Sequence, residues 1–160
     1  MERINKILKH DLFLCHLEKN NTAEAERRFC RHNITHFLDV ARIGWILNLE
    51  EDLHIEKEWI YAAALLHDIG KHVQYEDGTP HEKASGSIAP EILKDCGFED
   101  EESENIVEAI LSHRDASVMQ EKNLRGILYR ADKASRSCFA CKAEAECDWK
   151  RDKKNLTIKY

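Results

Sequence analysis

The sequence predicts an all-α fold on three observations: apolar residues recur three and four positions apart, and the 160 residues hold only two prolines and six glycines. Positions three and four apart share one face of a helix, whereas strands need alternation, which finds little support here.

Ile4, Ile7, Leu8, Leu12 and Cys15 form the first apolar stripe. The cluster Asn20-Asn21-Thr22 then reads as a break and a new N-cap, because short polar side chains bond the free N–H groups of a helix start. A longer helix is expected from Phe29 to Asn48, with Ile34, Phe37, Leu38, Ala41, Trp45 and Leu49 facing inward. Another spans roughly Glu56 to Ile69, where Gly70 loosens the exit. Glu76-Asp77-Gly78-Thr79-Pro80 is the clearest turn. The next helix opens near His81 and runs towards Leu93, with Pro90 as a kink or a break between two short helices, and Cys96-Gly97 ends it. Glu102 to Ser112 carries Ile106, Val107, Ile110 and Leu111 inward, with acidic residues in its first turn favouring the helix dipole. The last long helix covers roughly Asn123 to Glu144. Residues 149–160 are charged and read as a loose, peripheral tail. No repeat, low-complexity segment or linker interrupts the chain, so 1–160 is expected to form a single domain.

Composition narrows the function. With 30 acidic against 24 basic residues the formal charge is −6, which argues against general nucleic-acid binding but leaves room for a local basic patch. His10, Asp11 and His16 interrupt any signal-peptide core, and no apolar run is long enough to span a bilayer. A cytoplasmic location is expected, where six cysteines are reduced thiols or metal ligands rather than a disulfide scaffold.

The chemistry concentrates in histidine and aspartate. His67-Asp68 ends the apolar stretch Ala62-Ala63-Ala64-Leu65-Leu66, where two buried polar groups are costly unless something binds them. His32 and His36 lie four apart and share a helix face. His81, His113 and, less convincingly, His72 sit near helix ends or on helix faces. Asp132 stands in Leu128-Tyr129-Arg130-Ala131-Asp132-Lys133, a carboxylate in an otherwise apolar helical stretch. Any one of these alone reads as a hydrogen-bonded residue; the set points to a metal.

In order, His36, then His67-Asp68, then Asp132, with Val40-Ala41 after the first and Gly70-Lys71 after the doublet, the chain resembles the HD-domain superfamily of metal-dependent phosphohydrolases. The resemblance covers roughly residues 24–142 as the core. It implies a helical bundle with a divalent metal held between helices by His36, His67, Asp68 and Asp132. The choice of His36 over His32 follows the family's Val-Ala spacing. His32, one turn earlier, is left to touch substrate, bind a further ion or form a hydrogen bond. The resemblance also offers His81 and His113 as ligands of a second ion, with Asp68 as a bridge. The family's binuclear forms often have paired histidines where this chain has His113-Arg114, so Arg114 can instead grip phosphate.

A mixed nitrogen and oxygen ligand set suits manganese, iron, cobalt, nickel or zinc better than calcium. Such an ion activates water and polarises a phosphoryl oxygen. Asp68 and Lys71 are the candidate catalytic residues, Lys71 for phosphate charge. Arg31, Arg114, Arg130 and Lys133 are weaker phosphate candidates.

Cys138-Phe139-Ala140-Cys141 with Cys147 resembles part of a zinc or iron-sulfur site, and Cys30 is a candidate fourth ligand. The opposing reading is four small hydrophobes. The first functional expectation is an enzyme cleaving a nucleotide or other small phosphoester. The alternatives are a nucleotide- or metabolite-binding metal sensor without turnover and a structural metalloprotein. Trp45, Trp59 and Trp149 serve either the core or a homo-oligomer interface.

Overall fold

A computed structural model describes all of residues 1–160. Eight α-helices and no strands make up the chain: α1 (Glu2–Ile7), α2 (Asp11–Ala23), α3 (Ile34–Glu50), α4 (Lys57–Leu66), α5 (Lys71–Asp77), α6 (His81–Asp95), α7 (Asp100–Ser112) and α8 (Leu124–Ala134). Single 3-10 turns follow α7 and punctuate the segment after α8.

α4 is the axis of the molecule. From Ala62 to Gly70 every residue is buried, and α4 packs on α1, α3, α6, α7 and α8. A helix apolar on all sides belongs in the middle of a bundle, and its three alanines let neighbours approach closely. One contiguous core links Ile4 and Ile7 through Phe37, Leu65 and Leu66 to Ile106, Ile110 and Leu128. Two glycines set the spacing. A Cβ on Gly44 of α3 would lie 2.9 Å from Ile60 Cγ2 and 3.3 Å from Ile127 Cγ2. On Gly70 it would lie 2.6 Å from the backbone nitrogen of Ser85, so α6 rests directly against the turn that follows His67-Asp68.

Several expected boundaries move, each for a local reason. The first stripe divides into α1 and α2, because His10 Nδ1 caps a new start by accepting from Leu12 N–H at 3.2 Å. Cys15 is exposed rather than inward. No break occurs at Asn20–Thr22. Asn20 is buried within α2, and its amide donates to Asp68 O at 2.9 Å and accepts from His72 N–H at 2.7 Å. α3 begins at Ile34 rather than near Phe29, since the Asn33 side chain accepts from His36 N–H at 3.1 Å. Leu49 and Leu111, expected inside, are 60% and 46% exposed. α5 is an additional short helix, closed by Gly78 at φ 84°. Pro90 lies within an unbroken α6, where its missing N–H forgoes one bond and its ring crowds the preceding turn. α8 stops at Ala134 rather than near Glu144, because Asn155 Nδ2 donates to the carbonyls of Lys133, Ala134 and Arg136 at 2.7, 3.2 and 3.0 Å. The C-terminal segment is therefore peripheral but tethered. The indole of Trp59 donates to Glu102 Oε1 at 2.8 Å, and Trp45 packs half-buried on the core.

Candidate metal centre

Five helices deliver one buried cluster. The capped start of α3 presents His36, the turn after α4 presents His67 and Asp68, and the first residue of α6 is His81. His113 follows α7, Asp132 projects from α8, and His32 comes from the irregular segment before α3. All seven are at most 7% exposed.

Asp68 is the centre. Its Oδ2 lies 3.1 Å from His67 Nε2, 3.6 Å from His36 Nε2 and 3.7 Å from His32 Nε2. Its Oδ1 lies 3.1 Å from His81 Nε2 and 3.4 Å from His113 Nε2. Asp132 Oδ1 closes the first side, 3.5 Å from His36 Nε2 and 3.8 Å from His67 Nε2. One ligand atom each from His36, His67, Asp68 and Asp132 fall within 4.8 Å of one another, and Asp68, His81 and His113 form a second such group. His32 belongs to neither group and flanks the first.

The other ring nitrogen of each histidine explains why every Nε2 points inward. His67 Nδ1 donates to Ala64 O at 2.8 Å and His113 Nδ1 to Ile110 O at 2.6 Å. His81 Nδ1 donates to Gln74 Oε1 at 2.6 Å and His32 Nδ1 to Glu24 Oε1 at 2.6 Å. The Ser135 hydroxyl gives its proton to Asp132 O at 2.8 Å and so accepts from His36 Nδ1 at 3.2 Å. Each partner can only accept, which fixes the tautomer and leaves the Nε2 lone pair for an electrophile. His36 Nε2, His67 Nε2 and Asp68 Oδ1 are buried without a hydrogen-bond partner. Orphaned polar atoms at this density are costly, and a divalent cation satisfies all three, so the residues present fit a metal.

The electrostatics agree. Burial alone would lower the pKa of His67, but the neighbouring carboxylates of Asp68 and Asp132 raise it to about 10. A proton thus sits where a cation belongs. Burial, helped by Arg136, lowers His36 to about 4. Burial pushes Asp68 upward, but the surrounding histidines hold it well below the usual carboxylate range.

Lys71, the first residue of α5, lies beside the second group. Its Nζ donates to Gln74 Oε1 at 3.3 Å and lies 3.1 Å from His81 Nδ1, and burial lowers its pKa. Lys133 donates to Asp132 Oδ2 at 2.6 Å. Arg114 borders the second group, half exposed beside His113 and paired at 3.2 Å with Glu82, the neighbour of His81. Two cation candidates lie elsewhere: Arg31 bonds the carbonyls of Ala25 and Arg27, and Arg130 pairs with Glu51 beyond the opposite end of α3 from His36. His72 is turned away, with Nε2 accepting from His16 Nδ1 at 2.7 Å and Nδ1 donating to Glu76 at 2.9 Å. Cys30, Cys138, Cys141 and Cys147 form no third group: no three of their sulfurs lie within 4.8 Å of one another. The 3-10 turns after α8 replace the helix that would have aligned Cys138 with Asp132.

Five contributing residues escaped sequence reasoning: Asn20, Glu24, Gln74, Ser135 and Arg136. Glu24 is buried, accepts from Tyr75 Oη at 2.7 Å and from His32 N–H at 2.6 Å, and lies in a segment that looks like solvated charge. Ser135 and Arg136 carried a usable signal, standing three and four residues beyond Asp132, one turn along the same face.

Fold and site define an all-helical protein with a buried histidine-aspartate centre suited to divalent metal. Residues 33–137 match the HD domain, and the chain belongs to that family, part of the superfamily of metal-dependent phosphohydrolases. It is 49% identical over 160 residues, the whole of both chains, to an uncharacterized protein of Clostridium beijerinckii. No solved structure matches it. No helix is long and apolar enough to cross a membrane.

Proposed function

We propose that the protein hydrolyses a nucleotide or another small phosphoester. The observation that carries this reading is Asp68, whose two oxygens each face a separate set of imidazole nitrogens. His36, His67, Asp68 and Asp132 would hold one divalent ion, with Asp68, His81 and His113 suited to a second. When bound, such an ion supplies Lewis acidity and lowers the pKa of a coordinated water from about 15.7 towards about 7. The chain's own part is to orient and to balance charge. Ala64, Ile110, Gln74, Glu24 and Ser135 hold the imidazoles in one tautomer, and Lys71 stands beside His81 to neutralise charge developing on phosphate. Structural metal sites close their coordination, whereas the second group supplies only three protein ligands, which favours catalysis over a purely structural role. Six unpaired thiols support a cytoplasmic setting.

A panel of phosphomonoesters and phosphodiesters, assayed with manganese, cobalt, nickel or magnesium, tests the reading. Turnover by the wild type that Asp68→Ala abolishes without unfolding supports it. Tight nucleotide binding with no turnover under any metal would replace it with a sensor.

A further inference from the structure

Resting on that reading, we infer that Arg136 is the residue that grips the substrate's phosphate. Its Nη2 lies 3.0 Å from Asp132 Oδ1, the oxygen that faces both His36 and His67. The side chain is only 10% exposed, and its Nε is buried with no hydrogen-bond partner. A guanidinium offers a planar fork of donors matched to carboxylate or phosphate. Here one nitrogen holds Asp132 and another holds nothing, so the fork is half used. Arg130 and Arg31 are committed to other partners away from the cluster, and Arg114, beside His113, is half exposed and paired with Glu82.

Charge indicates what the free donor is for. Asp132 is paired on both oxygens, by Arg136 on Oδ1 and by Lys133 on Oδ2. Three carboxylates, Asp68, Asp132 and Glu24, stand against three basic side chains, Arg136, Lys133 and Lys71, at the cluster. A divalent cation bound there leaves the centre net positive, with the Arg136 side chain only 10% exposed, and an anion is needed to balance it. Phosphate supplies that charge and several acceptor oxygens. Because Arg136 already touches the carboxylate oxygen that faces the ligand nitrogens, a phosphate oxygen at the same centre is within its reach.

The test uses full-length protein reconstituted with manganese, with metal content measured and inorganic phosphate binding followed by calorimetry. Wild type binds phosphate when loaded. Arg136→Gln folds with a lower melting temperature, because it removes a buried partner of Asp132, and keeps its manganese, but binds phosphate at least about tenfold more weakly, the scale of a lost charge-assisted hydrogen bond. Arg136→Lys keeps the charge but not the fork, and weakens phosphate severalfold at unchanged manganese content; it decides the point if the glutamine variant does not fold. Phosphate affinity within twofold of wild type in the folded variant overturns the inference. So does loss of manganese in a folded Arg136→Gln, which would make Arg136 a positioning residue for Asp132. Hydrolysis by the wild type separates the two levels: an active wild type with unmoved phosphate affinity in the variants overturns the role of Arg136 alone. A loaded wild type that neither hydrolyses any phosphoester nor binds phosphate overturns both.

Discussion

Substituting Asn20 by alanine strands the buried N–H of His72 and takes one of two donors from the carbonyl of Asp68, which keeps the Lys71 N–H at 3.0 Å. The orphaned N–H costs roughly 1–3 kcal/mol, so urea unfolding should show a clear loss of stability although Asn20 touches no ligand atom. Glu24 adds a pH dependence. Burial would raise its carboxyl, but the hydrogen bond and charge of His32 hold it at about 2 against an ordinary 4.5. A depressed carboxyl stabilises fully above pH 4.5 and progressively less as pH falls towards 2. Glu24→Gln should flatten the stability profile in that window. His67 works in the opposite sense: its pKa of about 10 means that the metal-free protein carries a proton there at pH 7. Metal loading must expel it, so calorimetry in buffers of different ionisation enthalpy should report proton release, and affinity should rise with pH.

At the scale of elements, the expected and observed helices agree where the apolar period is long and part where one polar side chain decides. The buried stretch from Ala62 to Leu66 and the period of α7 were legible because helix packing dictates them. The start of α3 depends on Asn33, and the end of α8 on Asn155, twenty-one residues beyond Ala134. No local pattern announces such a contact. The site divides the same way: the ligand types stand out in the sequence, Arg136 is marked by its spacing from Asp132, and Glu24 and Gln74 matter only through neighbours brought by folding. Gly70 shows what this packing demands. A methyl group there would meet the backbone of Ala84 and Ser85, so Gly70→Ala must displace α6 and with it His81. The expected result is a loss of about 1–3 kcal/mol and weaker binding at the second metal group, read by melting and by metal stoichiometry.

For the molecule as a whole, a central helix hidden on all sides ends in a doublet that four other helices surround with imidazole and carboxylate. An interior with unpartnered His36, His67 and Asp68 atoms is destabilised until they are satisfied, and a metal that binds only the folded state stabilises it by mass action. Chelation should therefore lower the melting temperature, and manganese should restore it in the wild type but not in Asp68→Ala. Metal-dependent hydrolysis is tested by titrating the metal-free protein with manganese while following both bound metal and hydrolysis of a responsive phosphoester. A rate that rises with occupancy in the wild type and stays at background in Asp68→Ala is expected. Full hydrolysis by chelated, metal-free protein, or none from any phosphoester at full occupancy, would contradict a metal-dependent phosphohydrolase.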